Sequence, residues 1–469
     1  MSTLYCPEML HHHGNFHAHV GLLVDERGQV EAIVSDVNHY PEAKTVNMPG
    51  KALLPGFVNA HSHSFQRLIR GKSESRLSSG PDFWSWRNTM YRAANSLSPA
   101  GVYDVARMAF LEMLLAGTTT VGEFHYLHND PDGKPYDDPN LLSKQVIAAA
   151  QSVGIRIVLL RTAYLRSGHG LPLDDHQIRF FETTQKFIHH SEALIKANAG
   201  GQPSCRIALA PHSIRAVPLG DLKEIAAWAA AKMVPLHMHV SEQLAENSAC
   251  LKEHGLSPVR LLAREKVLSP AFTAIHAIHL DDDELGMLAE TNASICSCPT
   301  TERNLGDGVF ASDRALKRGI RVALGSDSQA QIDPLEDARE LDYHLRLKYR
   351  ERALLDQIDG KSLAVRLFEC ATTSGAASLG IETGDLVPGS LADFVTIDLR
   401  DVSITGHTAE DLLSIVVFSL KPSAVRDVVV GGELVIDDRK HPLEQEIVDR
   451  YRELHTSVWR NEPSYGGMA

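Results

Sequence analysis

Three separated stretches of this 469-residue chain carry four side chains that could converge on one metal ion. In Leu54-Pro-Gly-Phe-Val-Asn-Ala-His61-Ser-His63 an apolar run ends in two histidines one residue apart. Side chains alternate faces along a β-strand, so His61 and His63 project together, and two convergent imidazoles are half of a metal site. His239 ends the run Pro235-Leu-His-Met-His, and Asp327 follows Leu324-Gly-Ser. Three imidazoles and one carboxylate, with a position left for water, make a catalytic rather than a structural donor set. Two further groups could move protons. Glu242, just past His239, could take a proton from a metal-activated water and give it to a leaving nitrogen. His276 could stabilise a developing oxyanion from the opposite side. His237 shares a face with His239 and reads as structural; His279 is the weaker competitor of His276.

Residues so far apart need a scaffold that gathers them. From residue 53 onward, apolar or β-branched runs alternate with segments of helical periodicity. The strand candidates are 52–59, 118–124, 156–164, 206–210, 234–240, 272–277, 293–298 and 321–325. Helical patterns include 219–231, 282–291, 334–352 and 361–379. Strands alternating with helices indicate βαβ units and a parallel sheet. Eight such strands in about 270 residues match an α/β fold of the (β/α)₈ TIM-barrel type, in which side chains at the strand C-terminal ends share one mouth. A doubly wound open sheet is the alternative, and it does not explain why the chemistry-bearing residues fall at strand ends.

The flanks read differently. Residues 1–52 hold short strand-like runs at 20–24 and 30–34, and 384–442 is turn-rich and then strand-like. Within it, 425–430 and 434–436 flank Gly431-Gly-Glu, a hairpin signal. Both chain ends are expected to build one small β-sandwich domain around the barrel at 53–383. A helix over 443–459 opens the C-terminal segment 443–469. The cluster from His11 to His19 reads as a histidine-rich surface loop or a tag remnant.

Composition sets limits. Hydrophobic content of 43% and charged content of 22% are those of an ordinary soluble globular protein. A net charge of −13 argues against general nucleic-acid binding but leaves room for an anionic ligand at a local arginine pair. Six cysteines without a C-x-x-C pair point to a reducing compartment, and Cys296 and Cys298 read as small core residues. No signal peptide and no apolar run of about 18 residues is read, so no membrane span and a cytoplasmic location are expected.

At this point the chain resembles the amidohydrolase superfamily along nearly all its length, including Pro55-Gly-Phe-Val-Asn-Ala-His and Gly389-Ser-Leu-Ala-Asp-Phe. The resemblance implies a barrel, a composite β-domain and a metal-activated water. Binuclear members usually carry a lysine at the end of the fourth strand; here that strand ends in Ala210-Pro-His-Ser, which points to one divalent ion, with Zn²⁺ favoured. Asp327 or Glu242 would then accept the water's proton. Longer stretches are similar to the N-formimino-L-glutamate deiminases of histidine degradation. They are His63-Ser-Phe-Gln66-Arg, Asp82-Phe-Trp-Ser-Trp-Arg87, Glu123-Phe-His-Tyr126, Pro211-His212-Ser-Ile-Arg215 and Thr300-Thr-Glu-Arg-Asn-Leu-Gly-Asp-Gly308. That similarity implies a pocket lined by Gln66, Arg87, Tyr126, His212 and Arg215 for a small dicarboxylate, with N-formyl-L-glutamate and ammonia as products. Which arginine takes which carboxylate stays open. Trp84 and Trp86 could wall the pocket, and His125 and His128 could support it or simply shape their loop. A homodimer, and neither nucleic-acid nor membrane partners, is expected. The alternatives are a superfamily deaminase of guanine or adenosine type, with stacking in place of arginine clamps, and a non-catalytic barrel with a broken metal set.

Overall fold

A computed structural model describes residues 1–36, 39–72, 74, 83–199 and 204–460, and the backbone alone for 83–85. Sixteen strands fall into two sheets. The small-domain strands at the N-terminal end are β1 (Thr3–His12), β2 (Asn15–Ala18), β3 (Gly21–Val24), β4 (Val30–Val34) and β5 (Lys44–Pro55). The barrel strands are β6 (Phe57–Ser62), β7 (Thr118–His125), β8 (Arg156–Ala163), β9 (Cys205–Pro211), β10 (Leu236–Val240), β11 (Phe272–His276), β12 (Ser294–Ser297) and β13 (Val322–Leu324). The chain then returns to the small domain in β14 (Phe394–Asp398), β15 (Val425–Val430) and β16 (Glu433–Ile436).

The barrel strands pair in chain order, all parallel, which rules out the doubly wound alternative. Every residue of β7 and β8 is buried, as expected for strands covered on both faces. Closure is made at the C-terminal ends: Ser62 bridges Asp327 in parallel, Asp327 N donates to His61 O at 3.0 Å, and His63 N donates to Asp327 O at 3.0 Å. Gly325 permits this approach, because a Cβ there would sit 2.7 Å from the Cβ of His61. Helices pack outside, several with side-chain caps. Asp333 accepts from Leu335 N and Glu336 N at the start of Pro334–Tyr349, and Asp281 forms a capping box with Glu284 on Asp282–Glu290.

The expected first barrel strand, 52–59, is two strands in different sheets. β5 ends at Pro55 and pairs with β1 and β14; β6 begins at Phe57 and pairs with β7. The switch is at Gly56, whose N–H donates to Asp393 O at 3.0 Å and where a Cβ would lie 2.2 Å from the Thr119 hydroxyl. An unbroken apolar run does not announce a change of sheet. The expected helix 361–379 is likewise two helices, Leu363–Ala371 and Thr373–Ser378, parted at Thr372, whose φ of −131° and ψ of −93° leave the helical region.

The small domain is one mixed sheet in the order β16-β15-β14-β5-β1-β3-β4, with β2 beside β1, so the two chain ends meet where β14 lies on β5. A buried bidentate pair ties it to the barrel: Arg156 of β8 donates to the Asp393 carboxylate at 2.7 and 2.8 Å. Among the described residues no helix is long and apolar enough to cross a membrane.

The N-terminal histidines are not a surface loop alone. They form the β1–β2 hairpin, and His11 is 5% exposed, its ring 4.7 Å from Phe368 and 5.3 Å from Phe16. Neither ring nitrogen of His11 has a hydrogen-bond partner among the described residues. Burial, aided by His12, His17 and His13, lowers its pKa from 6.5 to about 4. The folded chain therefore resists a proton that the unfolded chain binds. Its contribution to stability is whole above pH 6.5 and is lost as pH falls from 6.5 towards 4, by up to about 3 kcal/mol. Denaturant titrations at pH 7 and pH 4.5 should show His11→Leu losing less stability on acidification than the parent; an equal loss would refute the assignment.

Candidate active site

The barrel mouth brings the four sequence-predicted donors together. His61 lies in β6, His63 just beyond it, His239 in β10, and Asp327 in the turn after β13. Their candidate ligand atoms all lie within 4.8 Å of one another. Asp327 Oδ1 is 3.3 Å from His61 Nε2 and 3.3 Å from His63 Nε2, and the Nε2 atoms of His61 and His239 are 3.2 Å apart. Outward, His63 Nδ1 bonds Phe124 O and His239 Nδ1 bonds His212 O, both at 2.9 Å. A carbonyl only accepts, so these Nδ1 atoms carry the protons and both Nε2 lone pairs face inward. Burial holds His61, His63 and His239 below the usual imidazole range, hence neutral. Neutral lone pairs facing one another beside a carboxylate do not satisfy each other; a divalent cation does. The donor set fits such an ion.

The local backbone explains the aim. Ser241, His276, Ala277, Asp327 and Gln329 have φ values of 52°, 68°, 52°, 45° and 61°, left-handed conformations that cost energy in residues other than glycine. The surrounding polar groups hold them. Asn59 Oδ1 accepts from Ser326 N at 3.1 Å, and Gln329 Nε2 donates to Asp327 O at 2.8 Å and Ser62 Oγ at 2.9 Å. Glu123 accepts from Ser62 Oγ and Ser64 Oγ at 2.6 Å and from Ser64 N at 2.7 Å, which pins the chain on both sides of His63. Burial raises the Glu123 carboxyl to about 7, against the pull of those three donors.

Glu242 and His276 face this cluster. His276 Nε2 is 3.8 Å from Glu242 Oε1 and 3.9 Å from Asp327 Oδ2. Its Nδ1 donates to Glu302 Oε1 at 3.2 Å, and Glu302 also accepts from Cys298 N at 2.7 Å. Burial alone would lower the His276 pKa, but Glu242, Glu302 and Asp327 together carry it well above the usual value. Burial raises the carboxyl of Glu242. Glu302 went unassigned in the sequence reading, although it lies in Thr300-Thr-Glu-Arg; nothing in the sequence ties it to a histidine 26 residues away. His237 bonds Ser378 O at 2.9 Å, and His279 does not line the cavity.

Gln66, Arg87, Tyr126, His212 and Arg215 all line one cavity with His63, His239, Asp327, Glu242 and His276. Trp86 is in its wall; the Trp84 side chain lies outside the described residues. Met90 and Tyr91, which continue the motif Asp82-Phe-Trp-Ser-Trp-Arg87-Asn-Thr-Met-Tyr91-Arg but were not assigned to the pocket, are walls as well, with Tyr164 and Phe180. Gln66 Nε2 donates to Tyr126 Oη at 3.1 Å. The half-buried Arg215 has no carboxylate within 4 Å of its guanidinium among the described residues. Its loop is held by Arg166, which donates to the carbonyls of Arg215 and Ile214 at 3.0 and 2.9 Å. His125 and His128 are buried outside the cavity wall, and His128 Nε2 donates to Thr162 O at 2.7 Å. A second cluster, His169, Glu253 and His254, differs from the barrel-mouth set because Arg166 occupies the Glu253 carboxylate at 2.9 Å.

The chain is similar to known proteins over most of its length. The amidohydrolase family model matches residues 52–435. The formimidoylglutamate deiminase of Pseudomonas aeruginosa is 33% identical over 417 residues, 88% of this chain and 91% of that protein. The 5-methylthioadenosine/S-adenosylhomocysteine deaminase of Thermodesulfovibrio yellowstonii is 28% identical over 440 residues, 92% of each chain. The crystal structure of an amidohydrolase from Brucella melitensis superposes with a TM-score of 0.89 at 30% identity, covering 97% of this chain and 99% of that one.

Because Glu123 braces the segment that carries His61 and His63, Glu123→Gln should lower affinity for the ion about 10- to 100-fold with the fold intact. Competition with a chromophoric chelator would measure this. Unchanged affinity would mean that Glu123 supports the fold alone.

Proposed function

This chain belongs to the amidohydrolase family, as a hydrolase of carbon–nitrogen bonds, and we propose that it is a formimidoylglutamate deiminase. It would convert N-formimino-L-glutamate and water to N-formyl-L-glutamate and ammonia. The observation that carries this reading is the Arg215 guanidinium in the cavity wall with no carboxylate within 4 Å among the described residues, and Arg87 lining the same cavity. Guanidinium forks bind carboxylates in bidentate fashion, and the proposed substrate has two. A purine offers none. The Pseudomonas relative supports the same substrate.

His61, His63, His239 and Asp327 would hold one ion, and their nitrogen and oxygen donors favour zinc. A zinc ion so held supplies a water acidic enough to act as nucleophile near neutral pH. Asp327 has two tasks available, since Oδ1 faces His61 and His63 while Oδ2 faces His276. Its free oxygen, or the Glu242 carboxylate, takes the water's proton. Cationic His276 presents Nε2–H to the oxygen that adds to the formimino carbon, and Glu302 fixes its ring from behind. Glu242 then delivers a proton to the nitrogen that departs as ammonia. Arg215 and Arg87 hold the carboxylates, which fixes the carbon in place while bonds change. The reaction fits a cytoplasmic enzyme, and a homodimer is in keeping with the family.

A second reading, a deaminase of adenosine type, draws on the aromatic walls Trp86, Tyr126, Tyr164 and Phe180 and on the Thermodesulfovibrio relative. Ammonia release from N-formimino-L-glutamate and from 5-methylthioadenosine separates the two. The zinc-loaded enzyme should turn over the first and not the second. Arg215→Ala should lower kcat/KM at least about tenfold, chiefly through KM. Glu242→Gln should lower kcat by about 10²–10⁴. Turnover of the nucleoside alone would discard the substrate assignment and keep the catalytic set.

A further inference from the structure

Glu242 works from a turn and not from a strand. β10 ends at Val240, Ser241 has a φ of 52°, and the helix Leu244–His254 follows at once. Neighbouring groups grip this turn from several sides. Ser241 O accepts from His279 N at 3.1 Å, and Glu242 N donates to Glu246 Oε2 at 3.2 Å. The His279 ring hydrogen-bonds the backbone carbonyls of both Glu242 and Asp307. Gln243, next along the turn, donates through Nε2 to Asp307 Oδ1.

Asp307 is where these contacts meet the other proton group. It is buried, lies outside the cavity wall, and follows the helix Pro299–Leu305. Its N–H donates to Glu302 O at 2.9 Å, and Glu302 is the carboxylate that orients His276. Gly308 permits the close packing: its φ is 138°, and a Cβ there would lie 3.0 Å from Ile278 Cγ2 and 3.2 Å from His279 Cε1. β10, β11 and β12 lie side by side in the barrel. Asp307 therefore ties the turn after the first of them to the helix after the third, with His276 at the end of the one between. Its charge suits the place. Burial raises the Asp307 carboxyl to about 8; Glu242 and Glu302 add to this, and His276 and Gln243 oppose it. Oδ2 has no partner among the described residues, which further disfavours the anion. A neutral acid here accepts from Gln243 and sets no second negative charge beside Glu242.

We propose that Asp307 is a positioning residue for the proton transfers, holding the turn that carries Glu242 through Gln243 and His279, and holding it in register with His276 through Glu302. This rests on the reading of Glu242 and His276 as the proton carriers, and not on the choice of substrate. Two substitutions separate shape from chemistry. Asparagine keeps the outline, the neutral charge and the oxygen that accepts from Gln243. Alanine removes the side-chain contact and keeps the main-chain bonds to Glu302 and His279.

The test compares Asp307→Asn, Asp307→Ala, Gln243→Ala and the alanine double variant with the parent. All are zinc-loaded, matched in zinc content and confirmed as folded by circular dichroism. The substrate is whichever of N-formimino-L-glutamate and 5-methylthioadenosine the parent turns over. Asp307→Ala and Gln243→Ala should each lower kcat about 10- to 100-fold, the scale of loss for a displaced catalytic group, with KM changed less than about twofold. The double variant should lose no more than the worse single one, because both remove the same contact. Asp307→Asn should keep kcat within about threefold of the parent. Amide hydrogen exchange reads the turn itself: residues 241–247 should exchange faster in the alanine variants and at the parent's rate in Asp307→Asn. If Asp307→Ala does not fold, Gln243→Ala and Asp307→Asn carry the test. Unchanged kcat in the alanine variants, a loss confined to KM, or additive losses in the double variant would overturn the proposal. So would an Asp307→Asn enzyme as slow as Gln243→Ala, since the Asp307 proton would then be part of the chemistry. If the parent turns over neither substrate, the functional reading fails and exchange decides. Faster exchange confined to 241–247 would uphold the hold on Glu242, and unchanged or globally faster exchange would overturn it.

Discussion

The active end of the barrel depends on two backbone hydrogen bonds, Asp327 N to His61 O and His63 N to Asp327 O. They join the first and last barrel strands and set the register of the ring. Because they run through the donor residues themselves, closing the barrel and assembling the donor set are one event. The geometry is a property of main chain, which is stiffer than any side chain. It requires Gly325, since a side chain there would collide with His61. It also requires Asp327 to adopt a left-handed φ of 45°, a cost met by the Gln329 and Asn59 hydrogen bonds around the turn.

Four of the buried imidazoles at this mouth, His61, His63, His239 and His276, differ in charge. Burial acts on all of them in the same direction, against protonation. His61 and His239 face other imidazoles, so burial prevails and their lone pairs remain available. His63 has Asp327 beside it, yet burial still outweighs that attraction. His276 faces Glu242, Glu302 and Asp327, and three carboxylates reverse the balance. One residue type thus supplies both electron-pair donors and a proton donor within a few ångströms. The assignment is made by the carboxylates that face each ring or are missing from it: Glu242 first, then Glu302 and Asp327, around His276.

The barrel was legible because strands covered on both faces are apolar throughout, and the donor set because it falls where those runs stop. What escaped the sequence reading shares a physical character. The division of 52–59 at Gly56 is a change of pairing partner, and hydrophobicity is the same on both sides of it. The N-terminal hairpin hid a buried His11, because burial there depends on Phe368 from the far end of the chain. Glu123 and Glu302 do their work on other side chains. Glu123 is 61 residues from Ser62 and Glu302 is 26 from His276, distances at which no spacing rule operates. Residues that act on substrate or metal can be read from their chemistry; those that hold them in place are visible only as contacts.

A chain of net charge −13 is an unlikely-looking home for a dianion until its charge is resolved by place. In the cavity the cationic groups are Arg87, Arg215 and the raised imidazole of His276, with the Asp327 carboxylate beside them. The nearby acids tend the other way. Burial raises the carboxyl of Glu242 and pushes that of Glu246 to about 7, while Arg215 and His276 pull both back. Among the described residues no carboxylate lies within 4 Å of the half-buried Arg215 guanidinium, and Glu242 and Glu246 meet its charge only at longer range, which leaves that charge partly uncompensated. The deficit falls away when an anion enters. An adenine ring would leave it standing, whereas the two carboxylates of the proposed substrate would remove it. Selectivity on this reading is the relief of an electrostatic deficit built into the empty cavity, and the acidic exterior does not enter, because its field is screened over about 10 Å of saline water.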